Sequence, residues 1–498
     1  MAIHDTQLQR LQMYINGEWV APASGEYFET VDPFTAKPWA LIPRGNAEDA
    51  ERAVEAAHRA FKSGPWATMH ASQRGKLLYK LGMLIEEHAD ELAEIEVRDN
   101  GRLLAEMRHQ IRYIPNWFYY YAGLADKIEG AVHPCDKPAL SFSRPEPLGV
   151  CVGIVPWNAP LLLLAFKVAP ALAAGNTIVM KPAEHTSATA IKLMELVEKS
   201  GIPNGVINVV TGFGREIGEP LVTNPLVRHL GFTGSTNTGK HLYALAARDM
   251  KRVSLELGGK SPNIVFADAA LSNAVRGVVG GIFGATGQTC IAGSRLLVQD
   301  TVHDEFVDML TKFTKAARVG SPYNLKTQIG PIANHMQYEK VLGYIDVAKG
   351  EGAELTLGGG RPDLDECQAG YFIEPTIFTG VNNQMRIARE EVFGPVLSVI
   401  PFRDAEEALA IANDTEFGLS AGVWTADMRQ ALLMSQKLEA GTVWVNTYRD
   451  ISYTTPFGGY KQSGIGRENG FEGIREYLQT KAVWLSTAKE IENPFVIG

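Results

Sequence analysis

A cysteine and a glutamate are the residues of this chain best suited to chemistry. Cys290 lies among small residues, with Gly-Ala-Thr-Gly-Gln-Thr before it and Ile-Ala-Gly-Ser after it, which let another molecule approach the thiol. Glu256 stands thirty-four positions earlier (290 − 256), in an apolar run that opens into glycines. A thiolate can form a covalent intermediate, and a carboxylate of raised pKa can activate water. The pair predicts covalent catalysis followed by hydrolysis.

Other segments carry weaker signals, each with a plain structural explanation beside the functional one. Asn158 could donate to an oxyanion or simply cap a helix. Lys181 and Glu184 could both bind ribose hydroxyls or form a solvated surface pair. The glycine turns at 211–218 and 232–239 each follow a strand, where backbone N–H groups can face a phosphate, but neither has the usual GxGxxG spacing. Taken singly, these segments favour the structural explanations, and Cys290 alone would be more often a buried small hydrophobe.

The elements that must position these residues alternate between strands and helices. Apolar strand patterns and helical patterns follow one another from Leu148 to Leu257 at a spacing of ~20–30 residues, which predicts βαβ units and a parallel, doubly wound sheet. A second α/β set runs from Asn263 to Asn446, beginning with a strand over Asn263–Phe266 and a helix over Ala270–Gly287. Before both sets, three-and-four spacing predicts helices over Ala47–Ser63 and Ser72–Arg98.

The four expected helices between the first five strands are Ala159–Ala174, Thr186–Ser200, Glu216–Val222 and Thr236–Arg248.

Composition and charge exclude several classes of protein. The length of 498 residues predicts about three domains. A net charge of −9 leaves no basic stripe for nucleic acid, and the longest apolar run is broken by Pro160, Lys167 and Pro170, so no membrane span is expected. The four cysteines are far apart, which indicates neither disulfides nor a zinc site. We therefore expect a cytoplasmic enzyme without a metal.

The order of the motifs, rather than any one of them, identifies the family. Trp157-Asn158, Lys-Pro-Ala-Glu184, Phe-Thr-Gly-Ser235, Glu256-Leu-Gly-Gly-Lys, Gly-Gln-Thr-Cys290, Glu-Glu-Val-Phe-Gly-Pro395 and Pro-Phe-Gly-Gly-Tyr-Lys-Gln-Ser-Gly-Ile-Gly-Arg-Glu468 follow one another in the chain. In this order they resemble the aldehyde dehydrogenase superfamily over nearly the whole length. The resemblance implies NAD(P)+-dependent oxidation of an aldehyde to a carboxylic acid, through a thiohemiacetal and a thioester on the cysteine.

The resemblance also implies a role for each motif residue. Cys290 would be the nucleophile, Asn158 an oxyanion donor, Glu256 the base for hydrolysis, and Glu468 a proton relay beneath Glu256. Within the NAD site, Lys181 and Glu184 would bind the adenine ribose, Ser235 the pyrophosphate and Glu391 the nicotinamide ribose, with Phe393 against the nicotinamide. The other expected cofactor contacts are Val155, Pro156, Trp157, Gly214, Gly218, Phe232, Gly234 and Leu257. We expect NAD to be preferred over NADP, because a carboxylate at Glu184 would repel a 2′-phosphate, although Lys181 could offset that repulsion.

The family's layout also implies domains and an assembly. Residues 1–128 and 148–257 would form the Rossmann-like NAD-binding domain, residues 258–460 the catalytic domain, and residues 129–147 and 475–498 a small β element for oligomerisation. Short strands over Ser141–Pro145 and Ala482–Ser486 would join subunits into a homodimer or homotetramer. A CoA-acylating dehydrogenase or an inactive, crystallin-like member of the fold are the alternatives, against which Glu256 and the intact Cys290 argue.

The substrate tunnel is the least determined part of the site. Its expected lining is Leu163, Phe166, Gly284, Thr289, Ile291, Arg449, Ile451 and Phe457. Gly284 would leave room for a branched or cyclic aldehyde, and the few aromatic residues in this set disfavour the cage that a quaternary ammonium aldehyde needs. Arg449 could bind a distal carboxylate, or could pair with Asp450 or a neighbouring subunit.

Overall fold

The structure, a computed structural model, describes residues 8–490 and residue 495. The first seven residues of the predicted NAD-binding domain lie outside the described residues, as do 491–494 and 496–498 of the predicted β element. Helices and strands alternate along the chain and form two large, mostly parallel sheets. The predicted α/β fold class is therefore confirmed.

The first large sheet has eight strands, and its centre is parallel. From edge to edge the strands are Gly464–Ile465, Arg252–Glu256, Val227–Thr233, Val150–Ile154, Thr177–Lys181, Ile207–Val209, Met13–Ile15 and Glu18–Val20. The five central strands are parallel neighbours, whereas the strands at either end of the sheet are antiparallel to their neighbours. In chain order these five strands stand 5-4-1-2-3, so the order reverses between Val150–Ile154 and Val227–Thr233. A doubly wound sheet binds its ligand at such a reversal, at the carboxyl ends of the strands.

Helices cover both faces of this sheet, as the doubly wound prediction requires. Pro160–Ala173 and Ala188–Ser200 pack on one face, and Ala47–Ser63, Glu219–Thr223 and Thr236–Ala247 pack on the other. A local signal marks the start of helix Ala47–Ser63: the side chain of Asn46 caps it by accepting from the N–H of Glu48 at 2.9 Å.

The second large sheet has seven strands. In spatial order they are Glu354–Leu357, Thr376–Thr379, Val396–Phe402, Arg295–Gln299, Pro262–Val265, Ser420–Trp424 and Thr442–Val445. Only the pairing of the first two is antiparallel. The accompanying helices are Leu271–Phe283, His303–Lys315, His335–Gly350, Arg386–Arg389, Ala405–Asn413 and Met428–Lys437.

A third sheet joins two distant parts of the chain. Leu478–Ser486 pairs antiparallel with Ala139–Pro147, which in turn pairs with Ala131–His133. The two strands predicted in these regions are confirmed, and each is nine residues long in the structure. The remaining strands are Gln9–Arg10, Tyr27–Asp32 and Lys37–Pro43 in one small sheet, and Phe417–Gly418 with Tyr460–Lys461 in another.

Three predicted helices are wrong in extent. The helix expected over Ser72–Arg98 is two helices, Ala71–Glu87 and Ala89–Asn100, because His88 leaves helical geometry and its ring nitrogen Nδ1 contacts the carbonyl of Leu84 at 2.9 Å. The helix expected over Glu216–Val222 is a π-type turn over Gly214–Gly218 followed by Glu219–Thr223. The last of the three, Ala270–Gly287, ends at Phe283 and is described with the site below.

Further helices were not indicated by the sequence. Leu104–Tyr113 packs against Ala89–Asn100, Pro115–Leu124 packs against Ala71–Glu87, and the short helix Gly470–Arg475 lies near the third sheet. Within residues 8–490, no helix combines the length and the hydropathy that a bilayer crossing requires.

Candidate active site

Cys290 lies on a tight loop that leaves the end of a helix. Leu271–Phe283 stops at Gly284, and Ala285 and Thr286 then take left-handed backbone angles with φ of 56° and 53°. Left-handed geometry is costly for residues with a Cβ and is kept only where the surroundings enforce it. Gly287 is required where it stands, because a Cβ there would lie 2.0 Å from the carbonyl oxygen of Gly394. The loop is thus held in one shape, with the side chain of Cys290 partly exposed.

Hydrogen bonds fix the peptide groups on both sides of Cys290. The side-chain amide of Asn158 donates from Nδ2 to the carbonyl of Gln288 at 2.8 Å. The N–H of Ala292 donates to the carbonyl oxygen of Thr289 at 3.1 Å. An amide nitrogen has two hydrogens, so Asn158 keeps one N–H beyond that bond. The predicted oxyanion donor and the predicted nucleophile are therefore neighbours.

The thiol of Cys290 is protonated at neutral pH in the protein alone. Desolvation is the main cause that raises the pKa of Cys290 to about 12, and the carboxylates of Glu391 and Glu256 add to it. Because the thiolate is the reactive form, Cys290 needs a base or a positive charge close by before it can attack.

Glu256 is the last residue of a central strand of the first sheet and is 2% exposed. Its strand is flanked on the outer side by Gly464–Ile465, and Gly464 is its register partner. Neither carboxylate oxygen of Glu256 has a hydrogen-bond partner among the described residues. Burial, followed by the nearby charge of Glu468, raises the pKa of Glu256 well above its ordinary value. A carboxylate whose pKa is raised is a stronger base than an ordinary glutamate, as activation of water requires.

A buried ion pair lies beside Glu256. Lys167 is 0% exposed, and its Nζ contacts Glu468 Oε1 at 2.5 Å and donates to Thr233 Oγ1 at 2.7 Å. The charge of Lys167 opposes the rise in the pKa of Glu256, while that of Glu468 increases it. Glu468 thus lies where the resemblance implied, and the sequence analysis missed its partner. The available signal was a lone charge in the apolar helix Pro160–Ala173, since a lysine there must be paired.

The predicted cofactor residues gather at the carboxyl ends of the central strands. Val155, Pro156 and Trp157 follow one strand, Lys181 ends the next, and Gly234 and Leu257 follow the two on the other side of the reversal. Ser235 caps helix Thr236–Ala247 by accepting from the N–H of Thr238 at 3.3 Å, and Phe232 is the penultimate residue of its strand. Gly214 and Gly218 bound the π-type turn.

Lys181 and Glu184 form a pair, but not a solvated one. Lys181 Nζ lies 3.7 Å from Glu184 Oε2 and donates to the carbonyl of Pro182 at 3.0 Å, and its side chain is buried. Burial lowers the pKa of Lys181, and Glu184 opposes that change. The surface-pair explanation is therefore wrong for Lys181, whereas Glu184 remains partly exposed to a ligand.

The second sheet contributes Glu391 and Phe393 from one loop. Glu391 Oε1 accepts from the N–H of Gly259 at 3.0 Å, and Phe393 packs edge-to-face against Trp157 with ring centroids 5.2 Å apart. A narrow cavity lined by Gly259, Thr289, Glu391 and Phe393 connects this loop with the residue before Cys290.

These residues fit a dinucleotide. Gly258 leaves a cradle beside Glu391, because a Cβ there would lie 2.7 Å from Glu391 Oε2. Helix Thr236–Ala247 begins just after the carboxyl end of strand Val227–Thr233, next to the point where the strand order reverses. Pyrophosphate binds at this position in doubly wound folds. The residues present therefore suit NAD on geometric grounds.

The predicted tunnel residues fall into two adjoining clusters. Ile291 and Phe457 pack with Cys290 and Ile451, whereas Leu163 and Phe166 belong to the large core cluster against which Ile451 also packs. The rings of Phe166 and Phe457 connect the two clusters, with centroids 6.4 Å apart. Thr289 directly precedes the nucleophile, and its buried hydroxyl has no hydrogen-bond partner in the part of the chain that the structure describes.

The expected space at Gly284 is filled, so that prediction is wrong. A Cβ on Gly284 would lie 2.0 Å from Nη1 of Arg449, and this nitrogen donates to the carbonyl of Gly280 at 3.0 Å. No ion pair joins Arg449 to Asp450 among the described residues, where Asp450 instead accepts from the hydroxyl of Thr447 at 2.6 Å. Gly284 is small because the guanidinium group needs its place.

Glu106 links Arg102 to the cysteine loop. Its Oε2 lies 3.0 Å from Arg102 Nη2, and its Oε1 accepts from the N–H of Ala285 at 3.3 Å. Although burial raises the pKa of Glu106, the guanidinium groups of Arg102 and Arg449 bring it below its ordinary value. Two cations and one anion leave this end of the site with a net positive charge.

The aromatic content of this region is larger than the sequence indicated. Trp117 stacks on Phe166 with centroids 5.0 Å apart, and Tyr453 packs on Trp117 at 5.9 Å and on Tyr120 at 5.6 Å. More aromatic rings therefore lie near the expected tunnel lining than the lining residues themselves supply. Helix Pro115–Leu124, which was not predicted, supplies the missing rings.

Comparison with known proteins gives close matches over nearly the whole chain. The model of the aldehyde dehydrogenase family matches residues 19–483, a range that includes every residue of the site described above. A hydroxyisobutyraldehyde dehydrogenase of Mycolicibacterium austroafricanum is 46% identical over 474 residues, which cover 95% of this chain and 93% of that protein. A betaine aldehyde dehydrogenase of Bacillus subtilis is 44% identical over 97% of this chain and 99% of its own. The crystal structure of betaine aldehyde dehydrogenase from Staphylococcus aureus in complex with NAD+ superposes with a TM-score of 0.96 at 42% identity, covering 97% of this chain and 96% of that one.

Proposed function

Because the chain belongs to the aldehyde dehydrogenase family and is an NAD+-dependent enzyme that oxidises aldehydes, we propose a role for each residue of its site. Cys290 is the nucleophile, Glu256 the base that activates water, and Asn158 the side-chain donor to the oxyanion. The observation that carries this assignment is the bond from Asn158 to the carbonyl of Gln288, which holds the amide beside the cysteine loop.

The first half of the reaction forms a covalent adduct. The partly exposed thiol of Cys290 first gives its proton to water. The thiolate then attacks the aldehyde carbon, the carbonyl π electrons move to oxygen, and a thiohemiacetal oxyanion results. The second N–H of Asn158 and the backbone N–H of Cys290 donate to that oxyanion. Oxidation then removes a hydride from the same carbon, and a thioester remains on Cys290.

NAD+, when bound, supplies the hydride acceptor for this oxidation. The chain would hold it with Lys181 and Glu184 at the adenine ribose, with the Ser235 helix N-terminus at the pyrophosphate, and with Glu391 and Phe393 near the nicotinamide. Glu184 supports NAD+ over NADP+, since a 2′-phosphate would meet a carboxylate.

Hydrolysis is the second half. Glu256 takes a proton from water, the resulting hydroxide attacks the thioester carbon, and collapse releases the carboxylic acid with Cys290 as the leaving thiolate. Glu468 and Lys167 lie where they can pass the proton onward. Because Glu256 is buried and close enough for its charge to raise the pKa of Cys290, hydrolysis is favoured over transfer of the acyl group to coenzyme A.

We propose a small aldehyde with a distal hydroxyl or carboxylate oxygen as the substrate. The net positive charge of Arg102, Glu106 and Arg449 favours an oxygen-bearing group over a quaternary ammonium, even though more rings lie nearby than expected. Arg449 uses one N–H for Gly280, so most of its donor fork is left for a ligand. The hydroxyisobutyraldehyde dehydrogenase among the relatives is consistent with this class.

A panel of aldehydes, with and without coenzyme A, tests both the reaction and the substrate class. NADH should form from hydroxyaldehydes and semialdehyde acids without coenzyme A, and with a lower kcat/KM from betaine aldehyde.

Arg449→Met should raise KM for a semialdehyde acid about tenfold, the value of a charge-assisted hydrogen bond, and spare an aliphatic aldehyde of similar length. Arg276, exposed on the helix that carries Gly280, gives the matched control Arg276→Met. An equal loss for both substrates would make Arg449 purely structural, and strict dependence on coenzyme A would favour the acylating alternative.

The assembly and location are also proposals. Leu478–Ser486 is the outer strand of the third sheet, and Trp484 and Leu485 on it are 58% and 52% exposed. An open edge of this kind supports a homodimer or homotetramer joined through residues 129–147 and the C-terminal strand.

The division into NAD-binding and catalytic domains follows the two large sheets. Four free cysteines support a reducing, cytoplasmic location.

A further inference from the structure

Tyr448 holds the carbonyl group next to the nucleophile. Its hydroxyl donates to the carbonyl oxygen of Ile291 at 3.0 Å, and its ring packs in the same small cluster as Cys290 and Phe457. Ile291 directly follows Cys290. This contact is therefore the counterpart, on the carboxyl side of the cysteine, of the bond from Asn158 to Gln288 on the amino side.

Three glycines form a slot that fixes the ring of Tyr448. A Cβ on Gly281 would lie 2.9 Å from its Cδ1, a Cβ on Gly293 2.9 Å from its hydroxyl oxygen, and a Cβ on Gly422 2.5 Å from its Cδ2. These glycines come from a helix, the cysteine loop and a central strand of the second sheet. The fourth side is closed by Trp444, whose ring centroid lies 4.7 Å from that of Tyr448. Such close packing on all sides leaves the ring a single position.

Two serine hydroxyls lie close to the hydroxyl of Tyr448. The hydroxyls of Ser261 and Ser420 lie 2.9 Å apart, and both act on Tyr448 as hydrogen-bond partners that oppose the rise of its pKa caused by burial. A serine that donates to the phenol oxygen leaves the phenol proton for the carbonyl of Ile291. Ser261 also lies five residues beyond Glu256 in the chain (261 − 256), so this hydroxyl chain connects the segment of the base with the loop of the nucleophile.

We propose that Tyr448 is a positioning residue for the attack of Cys290. This inference rests on the proposed role of Cys290. With Gln288 held on one side and Ile291 on the other, the backbone of Cys290 cannot rotate, and its thiolate stays aimed at the aldehyde carbon. Tyr448 does not touch the water or the base, so it acts on formation of the acyl adduct and not on its hydrolysis.

Rapid-quench mass spectrometry of Tyr448→Phe tests this separation, because it follows formation and decay of the Cys290 adduct independently. We expect formation to slow about tenfold or more, since a misplacement of about 1 Å can cost a hundredfold, while decay stays within twofold of the parent enzyme. A purely structural role would slow both steps together. Formation within twofold of the parent rate, or an equal slowing of formation and decay, would overturn the proposal.

Tyr121→Phe is the matched control, because the hydroxyl of Tyr121 also donates to a backbone carbonyl, that of Gly470, at 3.0 Å. It should lower the melting temperature by a similar amount and leave adduct formation unchanged. If Tyr448→Phe does not fold, the Ser261→Ala, Ser420→Ala double variant decides the matter: formation should slow at least about threefold with decay unchanged, and an unchanged rate overturns the inference. Adduct-independent turnover in Cys290→Ala would instead overturn the proposed function, so the two failures are distinguishable.

Discussion

The loop of the nucleophile and the surroundings of the base are built in opposite ways. Around Cys290 the backbone is strained, lined with glycines and fixed by neutral hydrogen bonds from Asn158 and Tyr448. Around Glu256 the backbone is an ordinary strand, its carboxylate oxygens have no protein hydrogen-bond partner among the described residues, and the neighbours that matter are the charged Lys167 and Glu468. One reagent is fixed in space and the other is adjusted in charge.

The difference reflects the two steps of the reaction. Attack on a carbonyl depends on distance and angle, so the cysteine needs a rigid backbone. Activation of water depends on proton affinity, so the glutamate needs a tuned pKa more than a fixed rotamer. Substitutions near Cys290 should therefore change the rate of adduct formation, whereas charge changes near Glu256 should change the pH dependence of adduct decay.

Loss of the nucleophile is the largest effect we expect. Cys290→Ala should reduce dehydrogenase turnover by at least about a thousandfold, since covalent catalysis has no substitute in the site, and should leave folding and NAD+ binding intact. NADH formation and a fluorescence titration with NAD+ measure the two properties. Cys135→Ala, a partly exposed cysteine in the hairpin connection of the third sheet, should retain most activity. Substantial turnover by Cys290→Ala would show that Cys290 is not the nucleophile. The contrast between a rigidly held nucleophile and a base of adjusted pKa would then be wrong.

Loss of the base should separate the two steps. Glu256→Gln should release NADH in one burst and then stall about a hundredfold or more below the parent rate, with an acyl group on Cys290 that mass spectrometry detects. The amide keeps the shape of the side chain and removes its basicity. A missing burst would show that Glu256 also deprotonates the thiol of Cys290. The pKa of Glu256 would then affect adduct formation as well as adduct decay.

Charge changes at the buried pair should produce the smallest and most specific effect. Glu256 acts only when deprotonated, so adduct decay is lost as the pH falls through its raised pKa. Glu468→Gln removes a charge that raises this pKa and should move the acid limb of the decay rate down by about one pH unit. Lys167→Met removes a charge that lowers it and should move the limb up by a similar amount.

The pH profile of adduct decay measures both shifts, and thermal melting controls for the cost of breaking a buried ion pair. Shifts in the same direction would mean that structural damage, and not charge, governs the base.

The fold was predictable where local pattern and burial agree. Alternating apolar strands and helices indicated the doubly wound sheet. Two strands of the third sheet were also predicted, although each has more residues in the structure than the prediction gave it. Local pattern failed where a side chain competes with the helix, as His88 does, or where distant groups impose the backbone, as at Ala285 and Thr286. No periodicity in the sequence could signal a turn that depends on Gly394 and Glu106, more than a hundred residues away in either direction.

The site was predictable to the level of motifs, and its supporting contacts were not. Cys290, Glu256, Asn158 and Glu468 lie where the resemblance implied. Lys167 was visible as a charge in an apolar helix, but its partner, three hundred and one positions away, was not. The small size of Gly284 was read as free space, since a sequence does not reveal that another residue's guanidinium group fills it.

The two-residue strand Gly464–Ile465 has a consequence for the timing of activity. It pairs with the strand of Glu256, and next to it Ser463 accepts from the N–H of Leu257 at 2.9 Å and donates to the carbonyl of Gly258 at 2.6 Å. The base is therefore enclosed by residues that the ribosome adds more than two hundred positions later. A nascent chain that already exposes Cys290 has no completed site for the water step, and an aldehyde that reacted with it would form a thiohemiacetal that the unfinished chain carries no further. Contacts over such separations also form slowly, so the water step becomes available only once the C-terminal part of the chain has folded against the strand of Glu256.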